Sequence, residues 1–184
     1  MAHQHARQLQ DRLGPVGPDL RQTRRWLPHW QQGGATYFVT FRTVGTTLPR
    51  ELRAIVLSAL RYFDGQRYTL WAAVVMPDHV HLLLTPHEQQ PGRWWSMSRI
   101  LHSLKAYTAK QLNAALQRSG TVWMQESFDR IVRDEAEFVE KWQYIRNNPV
   151  KRGLCEHPED WDALYERAYE RLAGGTGWKP IPPG

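Results

Sequence analysis

The sequence has one cysteine, Cys155, in 184 residues. A single thiol can form neither an internal disulfide framework nor a cysteine-based zinc site, so a reducing, cytoplasmic setting is the expectation. No apolar run approaches the roughly 20 residues that a membrane-spanning helix needs. The stretch from Met1 to Leu20 is polar and lacks the hydrophobic segment of a secretory leader. Acidic residues are the minority, 18 Asp plus Glu against 24 Lys plus Arg, giving a formal net charge of +6. That balance favours polyanionic partners, nucleic acid first. No internal repeat is visible. The length suits one domain with a real core and is too short for a full α/β barrel carrying His-x-His on its first strand, which removes one class of metal hydrolase.

What is present is aromatic and periodic. Nine tryptophans exceed what most cores use, and exposed aromatics beside arginine are a platform for stacking unpaired bases. Residues 1–20 read as a mobile arm. Arg21, Arg24 and Arg25 then stand with Trp26 and Trp30, a segment that could lie on a sugar-phosphate backbone or simply lead into the first strand. Tyr37 to Arg42 has the content of a strand, and Pro49 to Phe63 places Leu52, Ile55, Val56, Ala59, Leu60 and Phe63 at helical spacing. Tyr68 to Met76, a Pro77-Asp78 turn and His79 to Thr85 read as a hairpin. A long helix follows through Ile100, Leu101, Leu104, Thr108 and Leu112, ended by Ser119-Gly120. Val122 to Arg133 is the fourth strand, and Asp134 caps a helix from Glu135 to about Asn147, stopped by Pro149. Asp160 to Leu172 is expected as a terminal helix and 174–184 as a disordered Gly/Pro-rich tail. The order predicts an α+β fold of the ferredoxin-like, RRM-like kind: a βαββαβ antiparallel sheet with helices on one face, plus an additional C-terminal helix.

The chemistry concentrates in two places. Alternation on a strand puts His79, His81 and Leu83 on one face and Val80, Leu82 and Leu84 on the other. Imidazoles at i and i+2 have Cα atoms roughly 6 to 7 Å apart, close enough to share one divalent ion. On the helix after Asp134, Phe138, Trp142 and Ile145 define the core stripe. Tyr144 and Asn148 lie roughly 130° and 90° from its centre but only about 40° from each other, on a non-core flank. Two imidazoles, an amide oxygen and a hydroxyl are the parts that metal-assisted phosphodiester cleavage needs, with the phenol as nucleophile and a phosphotyrosine as product. Such a link conserves the energy of the broken bond, which suits DNA rearrangement. Asp78 reads as a turn residue whose carboxylate could also support a metal ligand.

The chain resembles the single-tyrosine HUH transposases and, within them, the REP-associated tyrosine transposases. The likeness rests on Leu27 to Trp30 with Ala35 to Arg42, on Val75-Met76-Pro77-Asp78-His79-Val80-His81-Leu82-Leu83, on Leu104-Lys105-Ala106-Tyr107-Thr108, and on Tyr144-Ile145-Arg146-Asn147-Asn148-Pro149-Val150-Lys151-Arg152-Gly153-Leu154. It implies one catalytic domain over 21–155, with 1–20 as arm and 156–184 as terminal helix and tail. It further implies His79 and His81 as ligands of Mg²⁺ or Mn²⁺, completed by Asn148 or by the adjacent Asn147, and Tyr144 as the nucleophile forming a 5′-phosphotyrosine. The implied partner is hairpin-forming single-stranded DNA from palindromic repeats, bound by a monomer or a homodimer. Lys105, Arg130, Arg146, Lys151 and Arg152 are the cations expected to meet it. The competing readings are a non-catalytic RRM-like binder and a metal nuclease that uses water.

Overall fold

The computed structural model describes residues 21–23, 29–167, 169–170 and 179–180. The expected arm at 1–20, together with Arg24, Arg25 and Trp26, lies outside the described residues. A short antiparallel pair, β1 (Arg21–Thr23) and β2 (His29–Gln31), precedes the main sheet. Next come β3 (Tyr37–Arg42), helix α1 (Arg50–Tyr62), β4 (Tyr68–Val75) and β5 (His79–Pro86). The small pair β6 (Glu88–Gln90) and β7 (Arg93–Trp94) then leads to helix α2 (Met97–Ala115), β8 (Phe128–Ile131) and helix α3 (Glu135–Lys151). The central sheet is antiparallel in the order β8-β3-β5-β4, as the split βαβ reading requires.

The two faces of this sheet are covered by different helices. Val39, Phe41, Val80, Leu82 and Leu84 are buried on one face. There Trp123 stacks edge-on against Phe41, and the Tyr68 hydroxyl donates to the Leu60 carbonyl of α1 at 2.6 Å. The buried faces of α1 (Leu52, Val56, Leu60) and α2 (Ile100, Leu101, Leu104, Leu112) complete this layer. Helix α3 crosses the opposite face, where Phe138 meets the Trp71 ring and Tyr144 meets Phe38. Asp134 caps α3 as expected, its carboxylate accepting from the Glu137 amide at 2.8 Å.

Three boundaries differ from the sequence reading. Of the expected 122–133 strand, Phe128–Ile131 forms the ladder with β3, while Met124 donates its amide to Arg42 O at the end of β3 and Trp123 donates its indole N–H to Thr108 Oγ1. Helix α3 continues through Pro149 to Lys151. Proline removes one hydrogen bond in the last turn, and the end is closed instead by Gly153, at φ 66°, donating to Val150 O while Leu154 donates to Pro149 O. The terminal helix expected from Asp160 is absent from the described residues there. A 3₁₀ turn (Pro158–Asp160) and β9 (Leu164–Glu166) take its place, and β9 extends the sheet along β4. The open edge of β4 is the reason: its backbone groups need partners, and the Trp161 indole also donates to Val75 O. Beyond it, β10 (Tyr169–Glu170), in the stretch expected as helix, pairs with β11 (Lys179–Pro180), in the stretch expected as tail; the rest of 174–184 lies outside the described residues. Among the described residues no helix is long and apolar enough to cross a membrane.

Candidate active site

The β4–β5 turn is pinned before the histidines begin. The Thr43 amide donates to Asp78 O at 3.0 Å, with the Thr43 hydroxyl, which donates to Thr46 O at 2.6 Å, 3.2 Å from the same oxygen, and the Leu48 amide donates to Pro77 O at 2.7 Å. His79 and His81 then open β5 opposite Arg42 and Thr40, with only 3% and 5% of their surface exposed and ring centroids 4.6 Å apart. Each ring spends Nδ1 on its own protein. His79 Nδ1 lies 2.6 Å from Asp78 Oδ1, and His81 Nδ1 lies 2.7 Å from Thr40 Oγ1. A carboxylate only accepts, so His79 carries its proton on Nδ1 and presents Nε2 as a lone pair. His81 Nε2 is buried and has no hydrogen-bond partner among the described residues.

Helix α3 brings its residues to this pair one turn at a time. The Tyr144 ring packs edge-on against His81 at 5.1 Å and against Phe38 at 5.8 Å, yet is 38% exposed. Two turns later Arg152 Nη2 reaches Asp78 Oδ1 at 3.6 Å. Residues 144, 148 and 152 share one helix flank, so Asn148, between two contacts with the histidine segment, faces that segment too. Its side chain is buried, and Oδ1 has no partner among the described residues. The sequence reading puts Tyr144 and Asn148 on a non-core flank; the sheet covers part of that flank, so Asn148 is buried while Tyr144 stays 38% exposed. Asn147 is half-buried and spends Nδ2 on its own helix, donating to Gln143 O at 2.9 Å.

The electrostatics keep the imidazoles neutral. Burial pushes His81 down to about 3, with further lowering from His79 and Arg42. Burial also lowers His79, against the opposing pull of Asp78. For Asp78 burial works upward, and the hydrogen bond from His79 with the nearby charge of Arg152 outweighs it, leaving the carboxyl below its ordinary value.

The five expected DNA-contacting cations divide into two groups. Lys105 donates to the carbonyls of Met124 and Gln125 at 2.9 and 3.2 Å, fastening the loop before β8. Arg130 pairs with Glu137 at 2.9 Å, and Arg146 is clamped between Glu159 and Glu166, which ties α3 to β9. Lys151 and Arg152 stand at the site itself, the ammonium of Lys151 5.5 Å from the Tyr144 ring centroid. Sequence reasoning missed the bond from Thr40 to His81; only the strand register, pairing Thr40 with His81, could have revealed it.

Two buried polar atoms with no partner among the described residues, His81 Nε2 and Asn148 Oδ1, each costing about 1–3 kcal/mol if left so, are the fit test for a metal. Neutral imidazole nitrogens and an amide oxygen suit a divalent ion of the Mn²⁺ or Mg²⁺ class. Among the described residues no group of three or more His, Cys, Asp or Glu is gathered, so an amide would have to complete the protein ligands. A groove of about 810 Å³ between α1 and α2, lined by Ile55, Tyr62, Phe63 and Tyr107 among others, opens on the other side of the sheet.

Comparison with known proteins identifies the family and the fold. The family model described as "Transposase IS200 like" matches residues 50–148. A curated relative from Haemophilus influenzae, whose name assigns it to the REP-associated tyrosine transposases, is 28% identical over 99 residues, 49% of this chain. The match spans 54% of that relative, about half its length. Among solved structures, a REP-associated tyrosine transposase bound to a REP hairpin superimposes with a TM-score of 0.56 at 23% identity, over 78% of this chain and 81% of that one. The fold is therefore shared with that protein.

Proposed function

Because the chain belongs to the IS200-like transposase family, we propose that it is a metal-dependent endonuclease and strand transferase. It would cleave single-stranded DNA beside hairpin or palindromic repeats, with Tyr144 as nucleophile. One observation carries the reading: the Tyr144 ring meets His81, whose buried Nε2, like Asn148 Oδ1 on the same helix flank, has no partner. His79, His81 and Asn148 would hold Mg²⁺ or Mn²⁺. Such an ion, when bound, offsets the charge that develops on the phosphate oxygens.

The chain's own residues would do the rest. Tyr144 Oη attacks phosphorus in line and gives up its proton as the P–O3′ bond breaks. One strand leaves as a protonated 3′-hydroxyl, and the other stays esterified to Tyr144 through its 5′-phosphate. Attack of a 3′-hydroxyl on that ester reverses the step and rejoins strands without ATP. Lys151 and Arg152 place positive charge where the phosphate must approach, and Phe38 and His81 hold the Tyr144 ring from two sides. The hairpin substrate is supported by the shared fold of the hairpin-bound transposase. Tyr144 and the histidines meet within one chain, which favours action in cis, and the net charge of +6 suits a polyanion.

The test is incubation of the purified protein with end-labelled single-stranded hairpin DNA and Mn²⁺, followed by denaturing electrophoresis. A covalent protein–DNA adduct is expected from the wild type and none from Tyr144→Phe, His79→Ala or a chelator-treated sample. Cleavage without an adduct would instead mean attack by water, and binding without cleavage a non-catalytic binder.

A further inference from the structure

We propose that Asp78 is a positioning residue: it locks the His79 imidazole in the Nδ1–H form, so that Nε2 faces the site as a ready donor. The inference rests on the metal reading above and extends it to a residue that touches neither DNA nor ion. In a Pro-Asp turn the side chain commonly serves the turn itself. Here the turn is fastened from elsewhere, by Thr43 and Leu48 on the Asp78 and Pro77 carbonyls. That leaves the carboxylate to the imidazole, 2.6 Å from Nδ1.

The two histidines differ in how their rings are held. Thr40 Oγ1 can donate or accept, so its 2.7 Å contact leaves His81 free to take either tautomer. A carboxylate cannot donate, so Asp78 imposes one tautomer on His79. Imidazoles that ligate metals are ordinarily oriented by such an acceptor, and loss of the acceptor typically weakens metal affinity 10–100-fold. Arg152 Nη2 faces the same Oδ1 at 3.6 Å from the closed end of α3, so the helix that carries Tyr144 is tied to the residue that aims the ring.

Two measurements on the intact protein test the proposal without using activity. Long-range ¹H–¹⁵N spectra of the metal-free protein, with His79 assigned through His79→Gln, report the tautomer. Titration with Mn²⁺ alone, following free Mn²⁺ by electron paramagnetic resonance, reports affinity. The wild type is expected in the Nδ1–H form. Asp78→Asn retains an acceptor oxygen and is expected to keep that form and an affinity within about threefold. Asp78→Ala is expected to move towards the Nε2–H form and to bind Mn²⁺ about tenfold or more weakly. Asp78→Ala with wild-type tautomer and affinity overturns the proposal. So does Asp78→Asn that binds as weakly as Asp78→Ala, since the charge or a direct ligand role would then matter and not the acceptor. A wild type that binds no Mn²⁺ overturns the metal reading instead, and the tautomer spectra then decide on Asp78 by themselves.

Discussion

On one face of β5, Val80, Leu82 and Leu84 are fully buried in an apolar layer under α1 and α2; on the other, His79 and His81 are almost as deeply buried under α3. Burial therefore does not separate the two faces, but satisfaction of polar atoms does. The apolar face has no polar side-chain atom to satisfy. The histidine face holds a buried ring nitrogen and, across from it, a buried amide oxygen with no partner. A chain under selection for stability alone would have little reason to keep those atoms, because an unsatisfied buried acceptor costs free energy that an apolar side chain avoids. The first face holds the fold together, and the second carries the unsatisfied atoms on which the proposed chemistry rests.

Substitutions that treat the two faces alike should give opposite results. Leu82→Ala opens a cavity in a completely buried position and should lower unfolding free energy by about 3 kcal/mol in urea titrations, with Mn²⁺ affinity little changed. His81→Leu and Asn148→Leu should stay within about 1 kcal/mol of wild type, or exceed it, while Mn²⁺ affinity falls at least tenfold, or about 1.4 kcal/mol. If His81→Leu proves as destabilising as Leu82→Ala, the contrast between the faces fails.

Acid should separate the faces as well. His81 takes up a proton near pH 6.5 when unfolded but only near 3 when folded. The unfolded chain binds the proton first on acidification, so stability should be complete above pH 6.5 and fall as pH drops towards 3. The expected loss is about 1 kcal/mol per pH unit from this residue. Chemical denaturation in chelator between pH 7 and 5 should show that slope in wild type and less of it in His81→Leu.

The smallest effects should sort the cations. Arg146→Ala should cost about 0.5–1 kcal/mol of stability through its lost pairs with Glu159 and Glu166, leaving the salt dependence of DNA binding unchanged. Arg152→Ala, beside the site, should leave stability within about 0.5 kcal/mol and reduce the slope of log K against log salt by about 1. The reverse pattern would make Arg146 a DNA contact and Arg152 a structural one.

Much of this was legible in the sequence because it is local. Period-2 alternation sorted the faces of β5, helical spacing joined Tyr144 to Asn148, and Asp134 was recognisable as a cap. The parts that were not legible depend on contacts distant in sequence. The burial of Asn148 depends on a sheet crossing the helix flank, which periodicity alone cannot see. Thr40 acquires its role from the β3–β5 register, and Leu164–Glu166 becomes a strand because β4 offers an open edge. The duties of Lys105, Arg130 and Arg146 are set by acceptors 20, 7 and 13 to 20 positions away, which a count of charges does not reveal.

The most direct test of the central claim is where the DNA becomes attached. After reaction with a hairpin oligonucleotide and Mn²⁺, the protein is digested with nuclease and trypsin and read by tandem mass spectrometry. A nucleotide is expected on the peptide of residues 142–146, at Tyr144, and is expected to be lost when chelator is added before the reaction. Attachment at another residue such as Tyr107, or cleavage of the DNA with the 142–146 peptide unmodified, would contradict it.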